Sequence, residues 1–254
     1  AVIVNTLDPL SVKIGEYYAA RQRILFQNVI KVGFPPGKTT LTSQEFAALR
    51  ARIDEQSLPG IQAYALTWAA PFRVECMSIT SAFAFGFDPA FCADGCKPTR
   101  HNPYFNSPVR LPFAQLGMRP AMAIAATSFE RAKELIDRGV ESDASFPAGA
   151  AYLLSTLEQA RNVRAASYRA VEQLFGRQIP VRRLEQDALT DNTDVLFYFT
   201  GKANVEGLET LKFLPGAIAD HLTSAGGELT SDGGQMSALR WLEAGATGSY
   251  GTVV

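Results

Sequence analysis

Short apolar strand-like segments alternate with helix-like segments through the first quarter of the chain, and this alternation restricts the possible folds most strongly. Residues 1–5 predict a buried strand, residues 8–23 an Asp-Pro-initiated helix, and residues 28–32 a second strand. Strands that are apolar on both faces are typical of a parallel sheet covered on both sides. The pattern therefore predicts a β-α-β beginning with a right-handed crossover.

The same alternation continues beyond this unit. A capping-box pattern at residues 42–45 predicts the start of a helix that places Phe46, Leu49 and Ile53 on one face. We predict one α/β domain over residues 1–254, with a mainly parallel sheet and helices on both faces; the length also permits two lobes. Further predicted segments are strands at 61–68, 121–126, 152–154, 194–199 and 247–254, helices at 128–138, 167–175 and 235–244 (capped by Asp232), and a segment of undecided type at 217–222.

Residues 71–120 break the alternation. This segment contains many prolines and aromatic residues and all three cysteines, and long irregular segments in compact domains are usually functional. We predict an ordered, cysteine-containing insertion whose aromatic residues either contact a partner or belong to the core. The candidate contact residues are Phe83, Phe85, Phe87, Phe91, Tyr104 and Phe105.

Composition excludes some classes of function. The 254 residues carry a formal net charge of −1, which leaves no basic surface for nucleic acid. The apolar stretches are too short to span a bilayer, so no membrane insertion is expected. No nucleotide-binding glycine pattern is present, and we predict no cofactor. The chain starts at Ala1 and not at a methionine, as expected if a leader has been cleaved, which would indicate export, or if this sequence lacks its natural start.

The three cysteines allow several chemistries. A disulfide between Cys92 and Cys96 is expected, with Cys76 bonded to either of them as the alternative, and a bridge would agree with export. Free thiols remain possible. A metal site that uses these cysteines and His101 is conceivable, but the spacing matches no zinc signature and no metal is predicted.

Any base for nucleophilic catalysis has to be one of two histidines. His221 follows Asp220 and precedes Thr223 and Ser224, so it could activate either hydroxyl, with amides near Gly226 stabilising an oxyanion. The alternative is a structural histidine held by hydrogen bonds.

Three stretches make the chain similar to an uncharacterised family of exported bacterial proteins. They are residues 74–87 (VECMSITSAFAFGF), 102–107 (NPYFNS) and 214–224 (LPGAIADHLTS). The similarity covers nearly the whole chain, and it implies export but no particular activity.

The last quarter also loosely resembles gingipain-like peptidases of the caspase type. In that group one strand ends in a His-Gly pair, a later strand ends in the nucleophilic cysteine, and a helix leads to a glycine-rich strand like residues 244–251 (AGATGSYG). Here the pair is Thr200-Gly201, and residues 222–227 (LTSAGG) contain no cysteine. The resemblance implies a caspase-like or gingipain-like architecture, for which a flavodoxin-like one is the alternative, without the thiolate–imidazole pair.

Two hypotheses follow for the function. The first is a non-catalytic, exported binding or structural subunit at the cell envelope, in the periplasm, at the cell surface or outside the cell, with a protein partner or a second copy. The second is a hydrolase in which Ser224 or Thr223 is the nucleophile, His221 is the base and Thr200 lies nearby.

Overall fold

The computed structural model describes residues 1–92, 98–231 and 233–254 and shows an α/β protein with mainly parallel sheets. The chain forms two compact units: unit 1 comprises residues 1–133 and 253–254, and unit 2 comprises residues 134–252. Each unit has its own four-stranded parallel sheet, whereas one sheet was predicted. The strand pattern predicted the sheet type, but strand order depends on long-range pairing that the pattern does not encode.

Unit 1 is built on a sheet with the strand order β2-β1-β4-β7, in which all neighbours are parallel. A small second sheet has the order β3-β5-β6. The elements of unit 1, in chain order, are β1 (Val2–Asn5), α1 (Pro9–Arg21), β2 (Val29–Val32), β3 (Thr40–Leu41), α2 (Ser43–Gln56), β4 (Tyr64–Leu66), β5 (Arg73–Val74), β6 (Met77–Ser78), α3 (Ile79–Phe85), α4 (Pro112–Leu116) and β7 (Ala121–Ala123).

The predicted helix starts of unit 1 are confirmed. The Asp8 side chain caps α1, whose first residue is a proline. Thr42 and Glu45 form a reciprocal capping box at the start of α2, which satisfies backbone N–H groups that have no partner within the helix. Phe46, Leu49 and Ile53 of α2 are buried in the core of unit 1, as their spacing predicted.

The segment at 71–120 is more regular than predicted. It contains a β5–β6 hairpin and helix α3, which the Ser78 side chain caps. Gly86 follows α3 with φ of 86°, a conformation that favours glycine. The cap and the glycine are the sequence signals that could have located this helix.

Unit 2 is built on a sheet with the order β11-β10-β8-β9, again parallel throughout. Its core contains Tyr152, Tyr198 and Trp241, which are fully buried. The remaining elements are α5 (Phe129–Ser142), which begins in unit 1, β8 (Ala150–Ser155), α6 (Ala165–Phe175), β9 (Val181–Glu185), β10 (Val195–Thr200), β11 (Phe213–His221) and α7 (Leu239–Glu243).

In unit 2 one undecided segment is assigned and two predictions need correction. The segment at 217–222, whose type was undecided, belongs to the long strand β11. Pro215 and Gly216 interrupt the apolar pattern by which this strand could have been recognised. The predicted strand at 247–254 is reduced to one bridge between Ile218 and Gly248. Helix α7 starts only at Leu239, later than predicted, and the Arg240 and Trp241 amides donate to the carbonyls three positions earlier, those of Ser237 and Ala238. The predicted cap, Asp232, lies outside the described residues.

Candidate functional site

The candidate site is the edge of the unit 2 sheet where β10 and β11 end. Thr200, the last residue of β10, is paired with His221, the last residue of β11. Ligands of open α/β sheets bind outside the carboxyl ends of the strands, so reactive side chains would be expected here. Thr200, Asp220 and His221 are all buried at this edge.

Both ring nitrogens of His221 are engaged in hydrogen bonds. The Trp241 indole Nε1–H donates to Nδ1 at 2.9 Å, so Nδ1 carries no proton, and Nε2–H donates to the Met236 carbonyl at 2.8 Å. Burial lowers the pKa of His221, and the positive charges of Arg164 and Arg161 act in the same direction. The imidazole is therefore neutral and has no free nitrogen with which to accept a proton.

The hydroxyls of Thr223 and Ser224 bond to Gln235 and not to His221. The Thr223 hydroxyl donates to Gln235 Oε1, and Ser224 Oγ lies 3.3 Å from the same oxygen and 3.1 Å from Gln235 Nε2. The Ala225 amide donates to Gln235 Oε1 at 3.0 Å. Gln235 thus holds this turn, and the proposed hydroxyl–imidazole pair is not formed.

Thr200 is the last residue of β10 and is followed by Gly201. Its side chain is fully buried, and Oγ1 has no hydrogen-bond partner in the described chain. Gly201 is required by packing, because a Cβ there would collide with the backbone carbonyl of Arg161. The Thr-Gly pair therefore keeps the close approach that glycine allows but supplies no base.

Asp220 and Arg164 form a partly buried ion pair that was not predicted, in which the Arg164 side chain is 27% exposed. Asp220 is 1% exposed and bonds to Arg164 Nη1 and to the Tyr250 hydroxyl. Burial raises the pKa of Asp220, and the positive charge of Arg164 opposes this rise. Strand pairing places Asp220 beside Phe199, so successive residues of β11, Asp220 and His221, face opposite sides of the sheet. The pair is separated by 56 positions, and no local pattern reveals it.

Two of the three cysteines are bonded to each other. Cys76 and Cys92 form a disulfide in unit 1, with Cα atoms 5.5 Å apart. Cys92 is therefore bonded to Cys76 and not to Cys96, since the fold of the β5–β6 hairpin brings Cys76 beside it. Cys96 itself lies outside the described residues.

The aromatic contact residues predicted in the insertion differ in their exposure. Phe83 is 1% exposed and belongs to the core, which is the second of the two alternatives that the sequence left open for these aromatic residues. Phe85 and Phe87 are partly buried against that core. Tyr104 is half-buried, and only Phe105 is largely exposed, at 83%. The apolar character of α3 therefore reflects packing inside unit 1.

Neither a metal centre nor a membrane span is found in the described part of the chain. Residues 1–92, 98–231 and 233–254 contain no group of three or more His, Cys, Asp or Glu side chains arranged to hold a metal ion. Within the same ranges no helix has both the length and the apolarity that crossing a bilayer requires.

Comparisons with known proteins give no match for this chain among family models, curated proteins or solved structures. The chemistry of the strand-end site is therefore inferred from its own geometry.

Proposed function

We propose that this chain is an exported, non-catalytic subunit that acts by binding another protein chain at the cell envelope. The observation that carries the proposal is the bonding of His221, whose two ring nitrogens are used by Trp241 and Met236. A base must have a free nitrogen within hydrogen-bond reach of the proton that it removes. This imidazole connects β11 to the chain before α7 and is not available for proton transfer.

The other side chains at the strand ends support the same proposal. A cysteine peptidase needs a thiolate beside an imidazole, and here the strand ends carry Thr200 and the Gln235-bound turn at Thr223 and Ser224. Both cysteines of the described chain are joined to each other in unit 1. A caspase-like or gingipain-like scaffold that has lost its reactive pair would have this composition.

The disulfide favours the exported location. Disulfides persist in oxidising compartments such as the periplasm and the cell exterior, and they are rare in a reducing cytosol. The Cys76–Cys92 bond closes the segment that contains α3, and it would stabilise this segment after export.

Chemical labelling of the intact chain tests the absence of catalysis. We expect neither a fluorophosphonate probe nor an epoxide probe for cysteine peptidases to label the folded protein. Ser224→Ala is the matched variant for any fluorophosphonate signal. Labelling of the wild type that Ser224→Ala abolishes would overturn the proposal.

The location and the binding role are tested in the native source. We expect to find the chain in the envelope or secreted fraction, in an assembly with a mass greater than that of one chain. Its intact mass should be two hydrogens below that of the fully reduced chain. A reduced chain in the cytosol, or a single copy after cross-linking of intact cells, would contradict the proposal.

A further inference from the structure

One face of the unit 1 sheet is covered over β1 but left open over β2. Helix α1 packs closely on β1, since Gly15 lies against Val4 at a spacing that excludes a Cβ. On β2 the residues Ile30 and Val32 are buried in the core that contains α2. Val29 and Lys31 alternate with them and therefore point to the α1 side.

This open face forms a groove of about 540 Å³ between α1 and β2. Its floor includes Val4 and Val29, and its wall is the α1 face that carries Val12, Glu16 and Ala19. These three residues are spaced by four and three positions, so they lie on one side of the helix. The surface is mainly apolar, whereas a parallel sheet normally has such a surface covered.

An exposed aromatic side chain stands at one end of the groove. Phe26 is 88% exposed and its neighbour Leu25 is 61% exposed, although Phe26 also lines the groove. Large apolar side chains that cluster on a surface mark interaction sites. A buried aromatic anchor is also the residue type that contributes most to protein interfaces.

The groove carries one charge of each sign. Glu16 lies on the helix wall and Lys31 on the strand floor, and both are exposed. In the part of the chain that the structure describes, neither side chain has an ion-pair partner. In a two-fold dimer, a residue of one chain that contacts a second residue of its copy has that contact repeated in the reverse direction, so one acid and one base on the same surface can form two equivalent ion pairs.

We infer that the groove of unit 1 is a homodimerisation surface. The groove of one chain receives Phe26 of a second copy, and the Glu16 carboxylate of each chain forms an ion pair with the Lys31 ammonium of the other. Three properties favour a second copy as the occupant: an apolar groove, an exposed anchor beside it, and charges of both signs. The inference rests on the proposed binding role and names one partner for it.

Sedimentation equilibrium of the full chain tests this inference. We expect a dimer for the wild type, and a dimer dissociation constant raised by about tenfold or more in Phe26→Asp, a change of about 1.4 kcal/mol or more that is typical for the loss of an anchor residue. Phe146→Asp is the matched control, because Phe146 is 98% exposed, belongs to unit 2 and does not line the groove. Its dissociation constant should equal that of the wild type.

Charge reversal provides a second, independent test. Glu16→Lys and Lys31→Glu should each weaken the dimer, and the double variant should restore it to within a few-fold of the wild type. Circular dichroism and thermal unfolding of each variant establish that the changes act on association and not on folding.

Several outcomes would overturn the inference. These are a monomeric wild type, equal weakening by Phe26→Asp and Phe146→Asp, or single charge reversals that the double variant does not rescue. Release of a co-purified apolar small molecule from the groove in denaturing mass spectrometry would also overturn it. A monomer that still enters a larger assembly in the native source would refute the dimer and leave the proposed function standing.

Discussion

At the scale of single residues, the role of His221 is decided by the residues that contact it in the folded chain. The sequence indicated either a base for a nearby hydroxyl or a structural histidine. Trp241, twenty positions later, donates to one ring nitrogen, and the Met236 carbonyl accepts from the other. The histidine could be found from the sequence because the chain has only two, but its role depended on partners from another element.

The lowered pKa of His221 predicts a pH dependence of stability. The unfolded histidine titrates near its ordinary value of 6.5, whereas burial lowers its pKa in the folded chain. Below pH 6.5 the unfolded state therefore binds more protons, so the contribution of His221 to stability is present above that pH and is lost as the pH falls toward the folded pKa. The loss is at most about 1.4 kcal/mol per pH unit.

Equilibrium urea unfolding between pH 7.5 and pH 5 should measure this loss. We expect the free energy of unfolding of His221→Gln to fall less steeply than that of the wild type, because the amide does not titrate. His101→Gln, at an exposed position, is the control and should follow the wild type. Parallel curves for the wild type and His221→Gln would show that this histidine does not titrate on unfolding.

Two threonines at the strand ends should respond in opposite directions to valine. Thr200 Oγ1 is buried without a partner, while Thr156 Oγ1 donates to the Gly201 carbonyl at 2.7 Å. We expect Thr200→Val to raise the free energy of unfolding by about 1 kcal/mol and Thr156→Val to lower it by a similar amount. Chemical denaturation measures both; destabilisation by Thr200→Val would mean that its hydroxyl is satisfied in solution.

At the scale of elements, the sequence predicted those with strong local signals. Helices α1 and α2 have side-chain caps, and β10 has a continuous apolar run. Strand β9 was missed because it lies at an edge of the sheet and most of its residues are polar and exposed. Helix α7 was predicted too long: it covers only Leu239–Glu243.

The ion pair between Arg164 and Asp220 should stabilise the attachment of β11 to the segment before α6. Arg164→Met leaves the buried Asp220 carboxylate without its countercharge, and we expect a loss of about 3 kcal/mol in the free energy of unfolding. Adding Asp220→Asn removes the unpaired charge and should restore part of that loss. Urea unfolding at pH 7 measures all three proteins.

The control for this prediction is the exposed pair of Arg183 and Glu172. Arg183 Nε lies 2.7 Å from Glu172 Oε2, but both side chains are more than 40% exposed. Arg183→Met should therefore lower the free energy of unfolding by less than about 1 kcal/mol. Equal losses from Arg164→Met and Arg183→Met would contradict a special contribution from burial.

At the scale of the whole molecule, the described residues form two hydrophobic clusters, one in each unit. The Cys76–Cys92 disulfide belongs to unit 1 and closes a segment with a sequence separation of 16. A loop of this length is expected to contribute about 3 kcal/mol by restricting the unfolded chain. We predict a loss of that size for the double variant Cys76→Ala/Cys92→Ala.

Urea unfolding with and without reductant measures this contribution, and hydrogen exchange locates it. The wild type should lose stability on reduction, while the double variant should be insensitive to reductant. Faster exchange should be confined to amides of unit 1. No difference between oxidised and reduced wild type would show that the bond adds no stability.

The class of fold and the side chain at the end of β10 follow from the order of residues alone, because apolar periodicity and caps act over a few neighbouring positions. The division into two sheets, the Cys76–Cys92 bond and the state of His221 were decided only by tertiary structure. Each depends on groups that are distant in sequence, and their pairing is set by strand order and side-chain direction. A histidine can act as a base only if one ring nitrogen is free to accept a proton. In His221 both ring nitrogens are hydrogen-bonded, to Trp241 and to Met236.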